Sequence, residues 1–86
     1  MNDNFIQLVI VTTGEDVDDK FNINQPLQSV KARAMQGLPS GSNPNDFVLE
    51  YEEQPLDDNK KIKDYIEQFG WINGTVLELV PRPQVI

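Results

Sequence analysis

The 86 residues contain neither cysteine nor histidine. Without cysteine there is no disulfide, no thiolate metal site and no thiol nucleophile. Without histidine the usual general base near neutral pH and the commonest metal ligand are missing. A serine nucleophile would have no ordinary activator, so hydrolase chemistry is disfavoured from the start. Basic charge is scarce: 7 lysines and arginines stand against 14 acids, a net charge of −7. Such a surface repels phosphate backbones and anionic lipid, which argues against nucleic-acid and membrane partners and suits a basic protein surface. Long apolar runs are absent as well. The longest, Leu8 to Val11, falls far short of a bilayer span. The opening MNDN lacks the basic and apolar regions of a signal peptide. The expectation is a soluble, cytoplasmic, monomeric protein of one domain with one core.

What is present is patterned. FIQLVIV alternates, with Ile6, Leu8 and Ile10 on one face and Phe5, Gln7, Val9 and Val11 on the other; the glutamine marks the second face as the outer one. Gly14 with Glu15 and Asp16 supplies a hairpin turn, and a return strand runs from about Val17 to Ile23, with an edge expected to fray or bulge at VDD. The period then changes. Asn24 is the expected helix N-cap, with Pro26 close to the first helical position, and Leu27, Val30, Ala34, Met35 and Leu38 form an apolar stripe. Gly37 and Pro39 end this helix of about three turns. PSGSNPND is loop by composition. FVLEY reads as a strand with Phe47, Leu49 and Tyr51 on one side and Val48, Glu50 and Glu52 on the other. A lone Leu56 plugs the core, and IKDYIEQFGW suggests a short helical turn carrying Ile62, Tyr65, Ile66 and Phe69. Asn73-Gly74 is a tight turn, after which Leu77 and Leu79 face inward and Val76, Glu78 and Val80 outward. A hairpin, a helix, a strand, a helical turn and a last strand make a two-layer α+β sandwich, with the first and last strands side by side.

That order, and the residues PLQSVKARAM, FVLEYEEQPLDDNKKIKDY and NGTVLELV, resemble the ubiquitin-like β-grasp family over nearly the whole chain. Leu27, Val30, Lys31, Ala32 and Arg33 fill the places of the ubiquitin helix start, and Leu56, Asp58, Ile62, Asp64 and Tyr65 those of the segment leading to its Asp-Tyr motif. The pattern is also similar to small bacterial ubiquitin-like proteins, some of which are encoded beside activating and conjugating enzymes. A few extra residues sit near Ile66 to Trp71. The resemblance implies a β-grasp domain over residues 1–80 and a flexible tail over 81–86. It further implies a partner-binding face at Val48, Glu50, Gln54, Glu78 and Val80. Glu50 stands where ubiquitin's patch has its central isoleucine, so the patch chemistry is inverted. Simple solvation of an antiparallel sheet would demand polar residues there as well.

Other candidates reduce to structure. Tyr65 resembles a loop-anchoring tyrosine of the fold, and Trp71 is either a core-edge residue or an exposed interface anchor, the core being favoured. Asp16, Asp18 and Asp19 lack the spacing of a calcium loop, and Asp57 and Asp58 suit a turn. NGT at 73–75 formally matches a glycosylation acceptor without a secretory signal to support it. Lys20, Lys31, Lys60, Lys61 and Lys63 are expected to be solubilising surface charge. No residue set points to a catalytic centre, a metal or a cofactor. Two readings stand: a non-catalytic ubiquitin-like protein working through protein contacts, or a modifier activated at its C-terminus by a dedicated enzyme. In the tail Arg82 matches a ubiquitin tail arginine, while Val85 and Ile86 replace the terminal glycines that such enzymes thread through a narrow channel.

Overall fold

The computed structural model describes residues 4–83. In chain order the elements are β1 (Phe5–Val11), β2 (Val17–Asn22), α1 (Gln28–Met35), a 3-10 turn (Pro44–Asp46), β3 (Phe47–Tyr51), β4 (Gln54–Pro55), α2 (Ile62–Phe69) and β5 (Thr75–Pro81). The sheet order is β2-β1-β5-β3-β4. The first and last strands lie side by side at its centre, in parallel, with Leu8 opposite Thr75 and Val11 opposite Glu78. Alternation does the sorting: Ile6, Leu8 and Ile10 of β1, Leu49 of β3, and Leu77 and Leu79 of β5 meet Leu27, Val30 and Ala34 of the α1 segment in one core. Leu56 closes it as expected, its N–H donating to the Leu49 carbonyl at 2.9 Å. The β1–β2 ladder runs unbroken from Phe5–Asn22 to Ile10–Val17, so the expected fray or bulge does not occur. Buried Val17 anchors that end.

The start of α1 differs from expectation, and the reason lies in how the two helix starts meet. α1 begins at Gln28, later than an N-cap at Asn24 with Pro26 in the first turn would give, and is about two turns long. Its first amides find carbonyls across the molecule: Leu27 N–H donates to Lys60 O at 2.8 Å and Gln28 N–H to Asp58 O at 3.0 Å. In return, Ile62 N–H at the start of α2 donates to Gln25 O at 3.0 Å, and Lys63 N–H to Ile23 O at 2.9 Å. The two helix starts thus satisfy each other through backbone, which at α1 replaces the side-chain cap that an isolated helix needs. The helical turn foreseen around Tyr65 is a full helix. Its Asp64 carboxylate accepts the Lys61 N–H at 3.2 Å, and Gly70, with φ 72°, ends it in the left-handed conformation.

Tyr65 performs the structural task foreseen for it: its hydroxyl oxygen accepts the Asp57 N–H at 2.6 Å. Trp71 is core, 4% exposed, with its ring 5.5 Å from those of both Tyr65 and Tyr51. The β1–β2 turn is clamped to the end of the α1 segment, where Glu15 N–H donates to Gly37 O at 2.9 Å. A Cβ on Gly37 would lie 2.3 Å from Glu15 O, and one on Gly14 would lie 2.2 Å from Gly37 O. Both glycines therefore serve close backbone approach.

Candidate interaction surface

Residues that share a register position share a face, so the strand pairing defines the outer side of the sheet. Val48 pairs with Val80 and Glu50 with Glu78 across β3 and β5. On the other flank Val9 pairs with Val76 and Val11 with Glu78 across β1 and β5. Beyond β1, Asp18 pairs with Val9. The surface is thus a floor of five valines interrupted and bordered by carboxylates.

Four of the expected residues are on this face, and two of the five need correcting. Val48 was expected on the exposed surface but is only 8% exposed, although it stands outside the core cluster. Val80 is opposite it, and the pairing runs one residue further, to Phe47–Pro81. Gln54 pairs with Tyr51, while Glu50 is opposite Pro55. Register therefore puts Gln54 with the inward-facing residues of β3, exposed at the edge and off the Glu50–Glu78 row. The reason is the tight Glu52-Glu53 turn, whose two residues adopt positive φ of 49° and 69° and so set the hairpin register. Val9, Val11 and Val76 belong to the surface and were not assigned to it from sequence. The alternation of β1 already placed Val9 and Val11 outward, but only the β1–β5 pairing puts them beside Glu78.

Arg82 is not part of a loose arm. β5 continues through Pro81, one residue past its expected end. The Arg82 N–H then donates to Asp46 O at 2.7 Å, and its Nε to Asn45 O at 3.1 Å. Val85 and Ile86 lie outside the described residues.

Charge on this face is uncompensated. Among the described residues the ion pairs are Lys31–Asp58 at 3.1 Å and Arg33–Asp19 at 2.9 Å, neither of which involves Glu50 or Glu78. The Lys20 N–H at 2.8 Å and the Arg33 guanidinium together hold the Asp19 carboxyl below its ordinary pKa. Lys31 departs from its expected role as surface charge: it is 4% exposed, its ammonium locked to Asp58. Among the described residues no group of three or more Asp, Glu, His or Cys comes together to hold a metal, and no helix is long and apolar enough to cross a membrane.

No protein-family model matches the chain, and no curated protein matches it. Among solved structures it is similar to a protein designed de novo on the basis of ubiquitin, with 16% identity, a TM-score of 0.76, and coverage of 98% of this chain and 96% of that one. It is also similar to a structure described as molecular mimicry of SUMO that promotes DNA repair, with 16% identity, a TM-score of 0.72, and coverage of 93% and 95%. At that identity the likeness establishes the fold, and the fold is the ubiquitin-like β-grasp.

Proposed function

We propose that this ubiquitin-like β-grasp domain is a non-catalytic interaction protein, an adaptor or component of a ubiquitin-like system, that docks a basic protein surface on the outer face of its sheet. The observation that carries the reading is the Glu50–Glu78 pair. Like charges directly opposite each other across a ladder are destabilising, and here they sit among valines with no cation paired to them. A partner with lysines or arginines around an aliphatic contact would relieve that repulsion and cover Val9, Val76 and Val80 together. The neighbour described as a mimic of SUMO supports a role exercised through surface shape. The inverted patch would repel partners that carry an acidic rim around their apolar anchor.

The alternative is a modifier joined through its C-terminus. The anchored Arg82 favours the contact reading, since it ties the start of the tail to the segment before β3, whereas threading requires release. Cross-linking capture from cells of its source, with wild type and with the Glu50→Lys/Glu78→Lys variant, tests the face. Partners held by wild type should be lost by a variant that remains folded. Incubation with ATP and the ubiquitin-like-activating enzyme of the same source tests the alternative; an adenylate or thioester would overturn the contact reading.

A further inference from the structure

A second surface lies at the opposite end of β1, where Phe5 shares the outer side of the strand with Val9 and Val11 and the inward residues Ile6 and Trp71 also reach the lining. Phe5, Ile6, Ile23, Ile66, Trp71 and Ile72 line an open cleft of about 350 Å³. Phe5 is 53% exposed and Ile72 72% exposed, an unusual exposure for large apolar side chains in so acidic a chain. The cleft is preformed. The loop bearing Ile72 is pinned on both sides: Gln7 N–H donates to Asn73 Oδ1 at 2.9 Å, and Ile72 N–H to Thr75 Oγ1 at 3.0 Å. The Ile23 N–H donates to Asn4 O at 2.9 Å, fixing the opposite wall. Trp71 contributes to the lining, with its indole N–H buried and without an acceptor among the described residues.

The described residues that line the cleft include no carboxylate. Lys20 lines the small pocket that adjoins it through Phe5 and Asn73. The Lys63 amide N–H donates to Ile23 O and the residue stands one helical turn before Ile66, so its backbone adjoins two residues of the lining. Glu67, next to Ile66 on α2, forms no ion pair with Lys63. A second copy set on the same cleft would oppose lysines to lysines. Two exposed anchors also cover far less than the ~1,000 Å² that a stable dimer needs.

We infer that the Phe5–Ile72 cleft binds a short segment of a partner protein in which branched apolar side chains are flanked by acidic residues. The apolar chains fill the cleft and the acids meet Lys20 and Lys63. Trp71 is the only tryptophan, so its emission reads occupancy directly.

The probe is a capped peptide with a central Ile-Leu pair between Asp-Glu pairs, compared with the same peptide bearing lysine at every acid. The acidic peptide should give a saturable change in Trp71 emission. Ile72→Asn should weaken it about tenfold or more, as loss of a central anchor does. Lys20→Glu and Lys63→Glu should each weaken it about three- to fivefold, within the range for exposed ion pairs. All three positions are at least partly exposed, and circular dichroism checks that the variants remain folded. Equal binding of the lysine-flanked peptide would overturn the inference, as would insensitivity to Ile72→Asn or no emission change at ~1 mM peptide. Concentration-dependent sedimentation without peptide, abolished by Ile72→Asn, would give the cleft to a second copy and overturn it too.

Discussion

Replacing Glu78 should make the protein more stable. Glu78 and Glu50 are direct partners across the β3–β5 ladder, and neither is in an ion pair among the described residues. Two unit charges ~6 Å apart in a water-like dielectric repel by about 0.7 kcal/mol, which agrees with the roughly 0.2–1 kcal/mol measured for cross-strand pairs. Glu78→Gln removes the repulsion and should gain about 0.5 kcal/mol. Glu78→Lys turns it into attraction and should gain about 1 kcal/mol, or roughly 4–8 °C in Tm for a domain of this size. The assay is thermal unfolding followed by circular dichroism in low salt and again in ~1 M salt, where a Debye length of about 3 Å should erase most of the gain. Because the whole chain is acidic, removing any carboxylate could help a little. A double-mutant cycle separates the two effects: in a Glu50→Gln background, Glu78→Gln should keep only that small general gain and lose the pairwise part. An equal gain in that background, or one that survives high salt, would refute the pairwise reasoning and weaken the case for a face held under charge strain.

Gly37→Ala should cost about 2–3 kcal/mol, because its Cβ would enter the Glu15 carbonyl and break a backbone hydrogen bond as well as overpack the contact; urea unfolding measures it, and an unchanged midpoint would show that the clamp yields freely. Lys31→Ala should cost about 2–3 kcal/mol by leaving Asp58 half-buried without its cation, while Lys31→Met/Asp58→Asn should return to within ~1 kcal/mol of wild type. Asp19 has a folded pKa lowered first by the Lys20 N–H and then by Arg33, so its stabilisation is complete above the unfolded carboxylate value and lost as pH falls through the folded one. Asp19→Asn should flatten that part of the acid limb, by a small amount given its exposure to solvent, in acid titrations of stability.

The order of the main elements, the inward residues of β1, β2, β3 and β5, the plug at Leu56 and the roles of Tyr65 and Trp71 could be read from the chain, because each is encoded locally, while the short β4 was not foreseen. Alternation states which side of a strand is apolar, period states helix, and a glycine or an Asn-Gly marks where the chain turns. The same information placed Glu50, Glu78 and Val80 outward. What it could not provide is register. The first and last strands were expected side by side, but only their parallel register sets Val9 opposite Val76 and Val11 opposite Glu78 on the acidic face. Gln54 leaves that face because two residues of a tight turn, at positive φ, set its register against Tyr51. Lys31 is buried because a distant turn brings Asp58 to it, and the same turn supplies the carbonyls that start α1 where no side-chain cap exists. Local pattern determined which residues would be apolar inside and charged outside. Only the tertiary structure decided which charges and which apolar groups would face one another, since pairing, capping and screening depend on distances between residues far apart in the chain.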